Sequence, residues 1–286
     1  MGVLKETKWQ QIDEDSVLYL KKKAKIVRRH IIEMLWEAKG GHFGGSLSCV
    51  DILVALYFQI LKINPQDPNW KERDRFILSK GHASAALCPT LAERGYFSVQ
   101  LLNTFNKLDS PFGMHPDMCK IPGCDMSAGS LGHGLPVGVG IALGGKLDAK
   151  SYKVFVLLGD GELQEGSIWE AMMAAAHYKL DNLVAIVDRN KIELDGATEE
   201  IMALEPLSKK WEDFGWSVEE INGHDMKEIL EALNKLPIRE GKPSVIIAHT
   251  IKGKGISFME DTHDWHYGKI SKEEFEKALG ELGEIK

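Results

Sequence analysis

Residues 153–196 constrain the chain more than any other stretch. They read KVFVLLGDGELQEGSIWEAMMAAAHYKLDNLVAIVDRNKIELDG. An apolar run of strand formers at 154–158 breaks sharply at Gly159-Asp160-Gly161. A helical pattern follows at 167–178. A second apolar run at 183–187 then ends at Asp188-Arg189-Asn190. Strand, turn, helix, strand is a βαβ unit, which predicts an α/β fold with a parallel sheet.

Ligands of such sheets bind beyond the carboxyl ends of the strands. Asp160 and Asn190 each stand just past such an end, so thirty residues of separation do not prevent them from being neighbours. One carboxylate and one amide oxygen are hard donors that suit magnesium, which takes about six oxygens and completes its shell with phosphate and water. The flanking glycines permit a tight turn and close approach of a diphosphate. The helix after the turn presents free N–H groups and the positive end of its dipole. Taken alone, a Gly-Asp-Gly turn between strand and helix is common; Asn190 after the second strand is what gives it chemical meaning.

Gly159-Asp160-Gly161 followed at this distance by Asn190 resembles the thiamine diphosphate signature. The words GDGELQEG and DRNKIELDG are similar to those of transketolases. The resemblance implies the thiamine-diphosphate-binding fold, a doubly wound, mostly parallel sheet flanked by helices, with residues 1–286 as one domain. It implies a magnesium ion, replaceable by calcium or manganese, held by Asp160, Asn190 and the backbone carbonyl of Ile192. Gly159, Gly161 and Glu162 would lie against the cofactor, and Glu165 would lie at a subunit interface near it.

Other segments carry the same resemblance. A helix is expected over 13–38, and four glycines among residues 40–45 end it. Read by itself, that loop is a turn into a second helix over 49–61. GGHFGGSLS also resembles the transketolase segment that supplies a substrate-side histidine, here His42. A strand at 75–79 stops at Lys80-Gly81-His82. His82 could be an ordinary loop histidine, but SKGHA matches the family histidine that faces the cofactor. After helices expected at 87–97 and 101–106, Gly113-Met114-His115-Pro116 matches a third active-site histidine, His115. Five of the fourteen residues from 127 to 140 are glycine, which allows a tightly packed loop. The matching family word contacts the cofactor by its backbone, so Gly129 and Leu131 are expected there. His133 stands where the family commonly has Gln.

Towards the end, residues 211–216 read as a helix closing on Gly215, and 217–221 as a strand. Asp225, in the turn Asn222-Gly223-His224-Asp225, is expected to cap a helix over 226–236. Residues 243–250 form a further buried strand. Lys252-Gly253-Lys254-Gly255 lacks the spacing of a phosphate-binding Walker loop. Thr262-His263-Asp264-Trp265-His266 resembles a family word that would make His263 a fourth active-site histidine, also in contact with the cofactor, with Trp265 and His266 packing. Ser271 and Glu274 offer a capping box to a charged helix from 270 onward.

Composition narrows the function classes. An apolar content of 44% over 286 residues suffices for a substantial core, and a net charge of −7 gives no general affinity for nucleic acid or anionic membrane. The polar first segment reads as neither a leader nor, with Glu6 at the sixth position, an acylation signal. A cytoplasmic protein is expected. Its four cysteines, Cys49, Cys88, Cys119 and Cys124, are scattered. The spacing of the last two is too loose to indicate structural zinc.

The family's pyrimidine-binding and C-terminal domains have no counterpart among these residues. The resemblance therefore implies a diphosphate-binding subunit that works with a second chain carrying those domains, as an α2β2 assembly. It implies transfer of a two-carbon ketol unit from a ketose, phosphorylated or not, to an aldose, as in the pentose phosphate pathway. His42, His82, His115, His263 and Glu165 would do the catalytic work. Two other readings stay open: a subunit of a pyruvate-using, thiamine-dependent sugar-phosphate synthase, and a cofactor-binding regulatory protein without catalysis.

Overall fold

The computed structural model describes residues 12–283. The readings made on residues 1–11, including Glu6, and on 284–286 lie outside the described residues.

Helix α1 (Glu14–Glu37) begins where the Asp13 carboxylate accepts the Ser16 N–H at 2.6 Å. Beyond it, the helix expected over 49–61 is present, preceded by a separate short helix. Cys49, at φ −94° and ψ 4°, separates α2 (Gly44–Ser48) from α3 (Val50–Ala55), and the chain then widens into a π turn over Leu56–Ile60. Strand β1 (Arg75–Leu78) leads through a tight turn at Gly81–Ala83 into α4 (Ser84–Arg94). The glycine-rich segment becomes α5 (Gly134–Leu147). The organising unit is β2 (Val154–Gly159), α6 (Gly166–His177) and β3 (Leu183–Arg189). After α7 (Thr198–Ile201) and α8 (Leu207–Asp213) come β4 (Ser217–Asn222), α9 (Met226–Asn234) and β5 (Ser244–His249). Asp225 caps α9 through the Lys227 and Glu228 amides. Helix α10 (Lys272–Leu282) carries the complete Ser271–Glu274 capping box.

The strands form one parallel sheet in the order β1-β2-β3-β5-β4. Every residue of β2 and β3 is buried, as expected for central parallel strands covered on both faces. Their side chains alternate between two cores. Phe155, Leu157, Val184 and Ile186 pack with residues of α1, α3, α4 and α9. Val154, Val156, Leu158, Ala185 and Val187 pack with residues of α5, α6 and α8. This is double winding, and its cause is handedness. From β1 to β4 the chain moves in one direction across the sheet, so right-handed crossovers put α5, α6 and α8 on one face. The return from β4 to β5 reverses direction and puts α9 on the other. The edge strand β4 exposes Glu220 and Asn222, charged and polar groups that discourage further pairing. Among the described residues no helix is long and apolar enough to cross a membrane.

Candidate active site

The carboxyl ends of β1, β2, β3 and β5 converge on one cavity of about 190 Å³. Gly45, Lys80, His82, Leu131, Gly159, Asp160, Gly161, Glu162, Asn190, Ile192, Glu193, Leu194, Lys252 and His266 line it. The residues named from sequence for the GDG turn and the Asn190 loop are thus brought together.

Asp160 is 2% exposed. Its Oδ1 accepts the Gly161 N–H at 2.9 Å, and its Oδ2 accepts from the Lys191 amide and, at 3.2 Å, from Arg189 Nη1. Burial and the neighbouring charge of Asp188 push its carboxyl above the usual carboxylate range, against the pull of Arg189. A bound cation would relieve that desolvation. Asn190 Oδ1 accepts the Ile192 N–H at 3.1 Å, which folds the loop so that the Ile192 carbonyl joins the cavity wall. These three oxygens, each with a spare lone pair, are a donor set that fits a hard divalent ion.

Behind them lies a buried scaffold. Glu162 accepts from Ser79 Oγ, from the Gly132 amide at 2.9 Å and from the Gly159 amide at 3.1 Å. It thereby ties the glycine-rich loop to the ends of β1 and β2; burial pushes its carboxyl upward. Lys80 Nζ meets Asp188 Oδ2 at 2.5 Å, and Ser48 and Thr250 also donate to Asp188. Burial opposes both charges of that pair, yet each partner holds the other ionised.

Lys252 enters from the loop after β5 and is 2% exposed. Its stem passes Gly44, where an added Cβ would lie 2.9 Å from Lys252 Cγ. Its ammonium donates to the Ile192 carbonyl at 2.9 Å, the Glu193 carbonyl at 2.8 Å and His266 Nδ1 at 3.0 Å, which uses all three donors. That last bond leaves the proton of a neutral His266 on Nε2. Burial and the charge of Lys80 lower Lys252 to about 8.

The imidazoles cluster beside this lysine. His82 and His266 stack at 5.2 Å, and His42 lies 5.3 Å from His82, 5.7 Å from His266 and 6.3 Å from His115. Reciprocal hydrogen bonds between Gly41 and Gly268, both 3.0 Å, clamp the loop of His42 to the loop of His266. Burial lowers His42 to about 4 and His266 to about 3, and drives His82 well below its ordinary value, with nearby Lys80 and Lys252 adding to each shift. All three are neutral at neutral pH. His42 Nδ1 is buried without a hydrogen-bond partner in the protein.

Five residues named from sequence are outside the cavity lining: His42 and His115, which join the ring cluster, and His263, Gly129 and Glu165, which do not. His263 is 54% exposed, its Nδ1 3.5 Å from Asp264, and it is absent from the ring cluster; His266, expected only to pack, occupies that place. Trp265 packs between Phe43 and Phe258. Gly129 and Glu165 are exposed and outside the cavity lining, with Glu165 beside Gly132. The residues that sequence reasoning passed over are Lys80, Arg189, Glu193, Lys252 and His266. Lys80 and Lys252 carried a visible signal, a lysine directly before glycine just past a strand. As for the cysteines, Cys49 and Cys88 are buried, and among the described residues no three His, Cys, Asp or Glu side chains group as metal ligands.

Comparison with known proteins bears on this geometry. Residues 20–284 match the family model described as transketolase, thiamine diphosphate binding domain. One of the named subunits of the apulose-4-phosphate transketolase of Phocaeicola vulgatus is 46% identical, over 90% of this chain and 91% of that one. The 6-deoxy-6-sulfo-D-fructose transketolase subunit of a Clostridium species is 44% identical, over 96% and 97%. The crystal structure of transketolase from Campylobacter jejuni superposes with a TM-score of 0.87 at 35% identity; the match covers 93% of this chain but only 43% of that one. On the strength of the match across nearly its whole length, this chain belongs to the transketolase family of thiamine diphosphate-binding domains.

Proposed function

We propose that the chain is the diphosphate-binding subunit of a two-chain transketolase that moves a two-carbon ketol unit from a ketose to an aldose. The observation that carries this reading is a cavity in which the oxygens of Asp160, Asn190 and Ile192 meet the Lys252 ammonium, itself bonded to the Ile192 carbonyl, and the neutral imidazoles of His82 and His266. Thiamine diphosphate, when bound, supplies the electron sink for cleavage beside a carbonyl.

The chain's own residues do the rest. Asp160, Asn190 and the Ile192 carbonyl would hold a magnesium ion, with Ca2+ or Mn2+ able to replace it. The Lys252 ammonium places positive charge where a diphosphate lies. Gly159, Gly161 and Leu131 leave room for it. His42, His82 and His266, kept neutral by burial, can each offer a ring N–H donor to the substrate. His115, exposed at the outer side of the ring cluster beside His42, meets the substrate on entry.

Exposed Gly129 and Glu165 are left for the second chain, which would complete each site in an α2β2 assembly. Two full-length relatives bearing subunit names support the split arrangement. Their names specify different sugars, so the substrate class proposed here is ketoses and aldoses, with sugar phosphates included.

Calorimetric titration of thiamine diphosphate in magnesium buffer tests the site, on the full chain alone and mixed with its partner. Binding should require the metal and should vanish in Asp160→Ala. Unchanged affinity in that variant, with the fold intact, overturns the assignment.

A further inference from the structure

The turn Asn222-Gly223-His224-Asp225 contributes nothing to the cavity lining, yet its histidine is buried in a charged group beneath the site. Asp51 on α3 receives Arg28 of α1 through both oxygens, at 3.0 and 2.6 Å, and His224 Nδ1 at 2.8 Å. The side chains of Arg28, Asp51 and His224 are 9%, 10% and 12% exposed. Burial opposes the Asp51 charge, but Arg28 and His224 hold its carboxyl well below the usual range. None of the three lines the cavity.

Beyond Asp51, Arg28 donates to the Leu47 carbonyl of α2 at 3.4 Å, and Arg28 and His224 each make one bond to a single further loop. The Ile251 amide donates to His224 Nε2 at 2.8 Å. An amide can only donate, so the proton of His224 sits on Nδ1 and points at Asp51. Arg28 Nε donates to the Lys254 carbonyl at 3.0 Å. The group therefore grips the loop immediately before Lys252 and two residues after it. Gly255 makes the grip possible: its φ is +99°, and a Cβ there would lie 3.0 Å from Arg28 Cδ. A buried ion pair is weak support for stability in its own right, because desolvation offsets its attraction. A role in fixing one conformation accounts for it better.

We propose that Arg28, Asp51 and His224 are positioning residues for Lys252. They hold the backbone on both sides of it, so that its ammonium stands ready at the Ile192 and Glu193 carbonyls and at His266 Nδ1 before any ligand arrives. They act on cofactor affinity only through that lysine. The inference rests on the reading of the cavity as the thiamine diphosphate site.

A double-mutant cycle tests it. Thiamine diphosphate affinity is measured in magnesium buffer on the full chain with its partner, for wild type, His224→Leu, Lys252→Met and both together. His224→Leu should weaken binding about tenfold, the scale of one lost hydrogen bond to a charged group. Adding it to Lys252→Met should cost no more than about twofold further. Both variants carrying the leucine should lose thermal stability equally, so stability and affinity separate. In the chain without cofactor, amide exchange at Ile251 should accelerate in His224→Leu and recover partly in His224→Gln, which keeps an acceptor. Should the leucine variant fold poorly, Arg28→Lys, which removes the Nε donor to the Lys254 carbonyl, takes its place in the cycle. An equal tenfold loss in the Lys252→Met background overturns the proposal, as does unaltered affinity in a folded His224→Leu. A wild-type chain that binds no thiamine diphosphate overturns instead the reading beneath it.

Discussion

His263 and His266 stand three residues apart on one loop and meet different surroundings. His263 faces solvent and Asp264, whereas His266 stacks on His82 and accepts from Lys252. Replacing His266 with Ala should lower turnover at saturating cofactor by about a hundredfold or more, the scale of a lost hydrogen-bond donor at the reacting centre. His263→Ala should stay within about twofold of wild type. Steady-state kinetics on the assembled enzyme decides between them; the opposite ranking would return the role to His263. The motif THDWH does not discriminate between its two histidines, because both follow an irregular loop and neither belongs to a periodic pattern. Only the pairing of Gly41 with Gly268 determines which ring reaches His42.

Between elements, the contact of α1 with α4 carries its own titration. His30 lies 3.0 Å from Glu93 and 3.6 Å from Glu33. Burial disfavours its charge, but the two carboxylates outweigh burial and raise it from 6.5 to about 9. A histidine that binds its proton more tightly when folded adds stability that is fully present below its unfolded value and lost as pH climbs through its folded one. The advantage of wild type over His30→Gln in urea unfolding should therefore be largest below pH 6.5 and fade as pH rises through about 9. An advantage that grows with pH would show that His30 is held neutral. Two of the helices here were legible from their caps, Asp225 and Ser271, whereas at the start of α1 both Asp13 and Asp15 could cap and the structure selects Asp13. The short helix before Cys49 was not legible, because it begins on Gly44-Gly45, which read as a turn, and it is set by burial against the rest of the fold.

At the scale of the molecule, one end of the sheet carries the whole candidate site, and Leu194 and Tyr267 stand exposed beside it. Sugar transfer by this chain alone should be undetectable. Mixing it with the partner chain should restore transfer and raise the mass measured by light scattering to that of two copies of each. The physical reason is that a cofactor bound on one side only would keep its ring in water, where preorganised dipoles lose most of their effect on developing charge. Robust transfer by the purified single chain would remove the need for a second subunit.

Local chemistry made the βαβ unit, the Gly-Asp-Gly turn, the oxygen donors Asp160 and Asn190 and most helix starts readable from the sequence, since apolar periodicity and capping depend on neighbours within a few residues. The order of the strands, the choice of His266 over His263, the entry of Lys252 and the grip of Arg28, Asp51 and His224 on its loop depend on contacts between residues 14 to 226 positions apart. Such contacts form only when the crossovers of the sheet bring the loops to one end, and no pattern along the chain encodes which side chain then finds which partner.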